Sequence, residues 1–167
     1  MIQEDYVRRN GAKSRSQVSN SGGYIITKWS FIDAALDFAA STIYTDCGGN
    51  KLRKQMPKFL RDKCSFIAKA AAELPVLLPY KTRAENLTGR AINLKDLRED
   101  FAHSVLTSPM HNNGVYSFAR PDAKQHNHEL KIWQFDVRTF PKTAELLEAL
   151  TSDAQSFAKS LEVAFHK

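Results

Sequence analysis

Apolar residues recur every three or four positions through most of this chain, switch to every second position between residues 115 and 140, and return to helical spacing after Pro141. A stretch of helical period cannot bury one side as a strand, nor an alternating stretch as a helix, so this pattern sets the fold class. Residues 28–45, KWSFIDAALDFAASTIYT, place Trp29, Ile32, Leu36, Ala39 and Ile43 on one side, with Ser30 and Asp33 spaced as a capping box and CGGN (47–50) closing the helix. A second helix is expected over about 51–74, with Leu52, Met56, Phe59, Leu60, Ile67, Ala71 and Leu74 as its stripe; Pro57 delays its start to near residue 56 or kinks it there. A third, about 83–107, carries Leu87, Ala91, Leu94, Leu97 or Arg98, Phe101 and Val105 and is stopped by Pro109. VYSFAR (115–120) and ELKIWQFDVRTF (129–140) then alternate around the turn-like PDAKQHNH, a β-hairpin whose core face carries Trp133, Phe135 and Val137. Pro141 suits the first turn of a last helix bearing Leu146, Leu150, Phe157, Leu161 and Phe165. The expected fold is mainly α, a four-to-five-helix up-and-down bundle with a β-hairpin inserted before the last helix.

At 167 residues and 43% hydrophobic, the chain suits one core. Residues 1–23 are polar, carry Arg8, Arg9, Lys13 and Arg15, and end in NSGG; they are expected as a flexible basic arm ahead of a single helical domain over 24–167. No apolar run approaches the ~18 residues of a membrane span, and the N-terminus has no apolar signal region, so a cytoplasmic setting without membrane contact is expected. Cys47 and Cys64 have no CxxC spacing and are expected as reduced, partly buried thiols. His126 and His128 share a face of an extended segment but lack a third ligand at informative spacing, so neither a metal nor a cofactor is expected. The balance of 24 basic to 18 acidic residues, net +6, leans toward a polyanionic partner. Lys51, Arg53, Lys54, Lys58, Arg61 and Lys63 make the second helix basic: a solvated face first, an RNA-backbone track second.

The stretch NLKDLREDFAHSVLTSP (93–109) is the chemically distinctive one. On a helix, the five residues from Arg98 to His103 rotate by about 140° and rise about 7.5 Å, so the pair flanks one broad face. Glu99 lies one turn before His103, where its carboxylate can hold the imidazole in one tautomer. Arg120 and His126, with five residues between them against four, form a second arginine–histidine pair in a turn-like segment, where nothing fixes the two side chains relative to each other; helical context separates the two pairs. Histidine serves as base or acid near neutral pH, and arginine offers phosphate oxygens a planar, permanently charged fork. Together they suit metal-free RNA cleavage, in which a 2′-hydroxyl attacks the adjacent phosphate. Candidate substrate contacts are Lys95, Ser104 and, in the loop beyond, Asn112 and Asn113; Ser104 equally suits packing, and the asparagines a plain turn.

LKDLREDFAHSVLTSP resembles the signature helix of the HEPN family (higher eukaryotes and prokaryotes nucleotide-binding domains), whose motif is an arginine, a polar residue, spacers, a histidine and commonly a small residue, here Arg98, Glu99, Asp100–Ala102, His103 and Ser104. The likeness covers 97–104 as motif and about 28–167 as architecture. It implies a small helical bundle acting as a metal-independent endoribonuclease, homodimeric through the motif helix, in a prokaryotic stress, defence or toxin–antitoxin setting with a possible antitoxin or regulatory protein. Glu99 stands where family members more often carry Asn, Asp or His. Val105 stands where toxins paired with nucleotidyltransferase antitoxins often carry tyrosine, so that mode of regulation is not supported. The alternative is a non-catalytic HEPN-like module that binds RNA, nucleotide or a partner protein through the same face.

Overall fold

The computed structural model describes residues 2–108, 114–121 and 129–165, with the backbone alone for 2–15 and 108. The chain forms α1 (Ile2–Thr45), α2 (Leu60–Glu73), α3 (Lys81–His103), β1 (Val105–Ser108), β2 (Val115–Pro121), β3 (Leu130–Asp136) and α4 (Phe140–Phe165). It is mainly helical, with the β-hairpin before the last helix as expected. The hairpin is enlarged by β1 into a three-stranded antiparallel sheet in the order β1-β2-β3.

Local chemistry explains where the boundaries moved. The N-terminal arm expected over 1–23 is helical from Ile2, and its second half is packed: Val18 and Ser21 are buried. Because α1 runs through residue 30 without interruption, Ser30 and Asp33 cap nothing. Gly48, at φ 84°, supplies the left-handed turn that follows the helix. The second helix starts only at Leu60, since Pro57 holds the preceding backbone out of helical geometry, and Pro75 ends it. Phe59, placed on the core stripe by its spacing, is therefore outside the helix and 76% exposed. The third helix stops at His103 rather than 107, because Val105, Leu106 and Ser108 pair with Ala119, Phe118 and Ser117 of β2. On α4 the buried stripe runs through Leu147, Leu150, Ala154, Phe157 and Leu161, leaving Leu146 half-exposed.

The chain divides into two compact units, Met1–Thr27 with Leu97–Glu145, and Lys28–Asp96 with Leu146–Lys167. The second is helical. Trp29, Ile32, Leu36, Ala39 and Ile43, the stripe read from the sequence, are all buried, as are Cys64 and Ile67 of α2 and Leu87 and Ala91 of α3. Lys63 is only 2% exposed, and its ammonium lies 2.8 Å from Asp33 and 2.7 Å from Asp37, so it belongs to an internal clamp rather than a solvated face.

The first unit holds the sheet. Val18, Tyr116, Phe118 and Phe135 form its core, with Phe101, Leu106, Trp133, Val137 and Phe140 packed against it. Phe118 and Trp133, paired across β2 and β3, stack at 4.5 Å. Alternation sends the opposite set outward: Val105, Leu130 and Ile132 are 60–71% exposed. Asp136 closes β3 by accepting hydrogen bonds from the Arg138 side chain and backbone N–H, which hold its carboxyl below the usual carboxylate range.

Candidate functional site

The C-terminal turns of α3 are fixed by one face. Phe101 lies 4.9 Å from the Phe135 ring, 5.0 Å from Trp133 and 5.5 Å from Phe118, edge-on in each case. On the α1 side the fit is close: a Cβ on Gly22 would stand 3.1 Å from the Phe101 ring, so glycine lets the two helices approach. The Asp100 carboxylate, 13% exposed, accepts from Lys131 Nζ at 3.0 and 3.2 Å and sits 3.0 Å from the Arg120 guanidinium. Trp133 Nε1 donates to Ser104 Oγ at 2.8 Å. Aromatic packing, an ion triad and an indole hydrogen bond thus lock three side chains of the motif segment onto the sheet.

Helical geometry then dictates what the other face carries. At 100° per residue, Arg98, Glu99, Ala102 and His103 span an arc of about 140° centred opposite Asp100, Phe101 and Ser104. Arg98 and His103 are exposed and Glu99 is half-buried. Among the described residues, neither Arg98 nor His103 makes a hydrogen bond or ion pair. A cation and an imidazole are presented to solvent about 7.5 Å apart along the axis of a braced helix. Glu99 sits one turn before His103 on that face, and Lys95 one turn before Glu99, its ammonium 2.9 Å from Asp96. No family model matches the chain, and no curated protein or solved structure does.

The structure brings Arg98, Glu99 and His103 to one face, with Lys95 a turn earlier; it turns Ser104 toward the sheet, where its hydroxyl accepts from Trp133. Asn112, Asn113, His126 and His128 lie outside the described residues. The spacing argument missed Asp100, Arg120 and Lys131. Arg120, set aside as a spacing coincidence, is an anchor of the motif helix. The signal was available in the alternation of β2 and β3, which puts Arg120 and Lys131 opposite each other on the same sheet face as Phe118 and Trp133.

Two other features lack reaction chemistry. A groove of about 370 Å³ between α2 and α3 is lined by Cys64, Thr88, Gly89 and Ile92 and by none of the motif residues. Burial, with the Asp33 carboxylate adding to it against Lys63, pushes the Cys64 thiol up to about 11, so it is not a nucleophile at neutral pH. Burial, reinforced by Asp46, does the same to Cys47.

Proposed function

We propose that the protein is a metal-independent endoribonuclease working as a homodimer, with His103 as the proton-transfer group and Arg98 as the phosphate clamp. The observation that carries this is the division of α3: Asp100, Phe101 and Ser104 are spent on holding the helix, while Arg98 and His103 stand exposed on the other face. In-line attack by a 2′-hydroxyl needs a base for its proton, an acid for the departing 5′-oxygen and positive charge on the transition state. One chain supplies a single such histidine, so a two-fold pairing through the motif helix supplies the second, along with two guanidinium forks. Glu99 serves as the orienting carboxylate, and Lys95 adds attraction for the substrate backbone. The net charge of +6 and the resemblance of 97–104 to the HEPN motif support the same reading. It includes a cytoplasmic setting and an antitoxin or regulatory protein as control.

The test is RNA cleavage in EDTA, with the product ends identified. Wild type should release 2′,3′-cyclic phosphates. His103→Ala should lose at least about 10²-fold in rate while keeping fold and dimer. Arg98→Lys should lose about tenfold, because a point charge does not reproduce the bidentate fork. Full activity in His103→Ala, or sensitivity of the wild type to EDTA, would remove this mechanism. A folded dimer inert on several RNAs would leave the non-catalytic binding module.

A further inference from the structure

Five basic residues and no acidic one lie between Cys47 and Arg61, so this segment carries +5 in a chain of net charge +6. Lys51, Arg53, Lys54, Lys58 and Arg61 are all exposed. Arg53 reaches Asp62 at 3.6 Å; the other four have no ion-pair partner among the described residues. In their midst stands Phe59, at 76% the most exposed large apolar side chain among the described residues.

The backbone beneath these side chains is braced. Pro57 is buried and Met56 half-buried. Tyr44 Oη donates to the Lys54 carbonyl at 2.9 Å, the Leu52 N–H donates to the Gly49 carbonyl at 2.9 Å, and α2 begins at Leu60. Phe59 is therefore held outward on fixed chain between Lys58 and Arg61. Arg61 also lines the groove between α2 and α3.

An exposed aromatic side chain with exposed cations on either side of it along the chain matches an unpaired base and its phosphates: the base stacks, the phosphates take the charges, and stacking tolerates any sequence. An anionic bilayer fits less well. Insertion needs a contiguous apolar face, and between Lys51 and Arg61 the exposed side chains other than Phe59 are cations and Gln55, with Leu52, Met56 and Leu60 half-buried and Pro57 buried. We propose that Lys51–Arg61 is a docking platform for single-stranded RNA, with Phe59 stacking on one base and Lys51, Lys54, Lys58 and Arg61 following the adjacent phosphates. The identity of the polyanion as RNA rests on the ribonuclease reading; the platform itself rests on the side chains just described.

Fluorescence anisotropy with a labelled mixed-sequence single strand, and with the same sequence as a duplex, tests this in EDTA on the full chain carrying His103→Ala. Phe59→Ala should weaken single-strand binding about tenfold and duplex binding far less, with unchanged melting, since the side chain is three-quarters in water. Phe59→Trp should retain affinity. Lys58→Ala and Arg61→Ala should each flatten the salt dependence by about 0.7 in log–log slope. Unchanged single-strand affinity in Phe59→Ala would overturn the platform, as would an equal loss on duplex. So would loss of binding to phosphatidylserine vesicles with RNA binding intact. Cleavage by the protein with His103 in place is scored separately. A Phe59-dependent single-strand affinity without any cleavage supports the platform and removes the ribonuclease reading; cleavage with a Phe59-independent affinity does the reverse.

Discussion

Replacing Asp100 by asparagine removes the charge on which two cations converge while changing almost no volume. The carboxylate is 13% exposed, Arg120 20% and Lys131 39%. Losing one side of a fully buried ion pair costs about 3–5 kcal/mol, and a hydrogen bond to a charged group is worth about 1.5–3 kcal/mol. Lys131 can turn into water. Arg120 is more confined, and its Nε is already buried without an acceptor among the described residues. The stranded guanidinium should therefore dominate, and the residual exposure brings the total to about 2–3 kcal/mol, or about 4–12 °C in Tm for a chain of this length. Trp133 lies in the first unit and Trp29 in the second, so urea unfolding followed by fluorescence in a Trp29→Phe background reports on the sheet alone. Adding Arg120→Met to Asp100→Asn should restore more than half of the loss, and adding Lys131→Met little of it. On the ribonuclease proposal, cleavage well below the unfolding transition should fall about tenfold in Asp100→Asn, because the helix end that carries His103 loses an anchor. A stability loss under about 0.5 kcal/mol, or equal rescue by both second substitutions, would refute the reasoning.

The Lys63 clamp should respond asymmetrically. Lys63→Met leaves two carboxylates about half exposed and free to hydrate, a loss of about 1 kcal/mol, whereas Asp33→Asn with Asp37→Asn strands a 2%-exposed ammonium and should cost about 3–5 kcal/mol by denaturant titration. The opposite order would contradict the burial argument. Burial disfavours the Lys63 charge, but the hydrogen bonds to Asp33 and Asp37 outweigh it and raise its pKa. Its stabilisation is therefore complete below the free-lysine value of about 10.4 and lost as pH climbs through the raised folded value; wild type and Lys63→Met should converge only at strongly alkaline pH. Cys47 and Cys64, both pushed up to about 11, should leave about one thiolate in a thousand at pH 8, so a thiol reagent should modify them only after denaturation.

Periodicity carried most of the architecture. The α1 stripe from Trp29 to Ile43 is buried residue for residue, and the hairpin pairs as the alternation of 115–120 with 130–136 requires. What it missed has local causes. Phe59 sits at helical spacing from Met56 and Lys63, but spacing cannot report that Pro57 delays the helix past it. β1 was hidden because VLTS continues a helical stripe as well as it forms a strand, and only its partner β2 decides between them. The site divides along the same line. Arg98 and His103 are separated by a sequence-local step, so their shared face was legible. The ion triad joins residues 100, 120 and 131, and its assembly depends on strand register, which no single segment encodes.

Because Asp100, Phe101 and Ser104 do the holding, the exposed positions on α3 are relieved of it. Exchanges at Arg98 or His103 should leave melting almost unchanged, since surface positions rarely matter by more than about 0.5 kcal/mol. Inheritance has a corresponding freedom. On the ribonuclease proposal, a lineage can silence or restore activity in one mutational step without passing through an unstable ancestor, so active and inert copies of such a chain are neighbours in sequence space, and selection meets them as equally well-folded proteins.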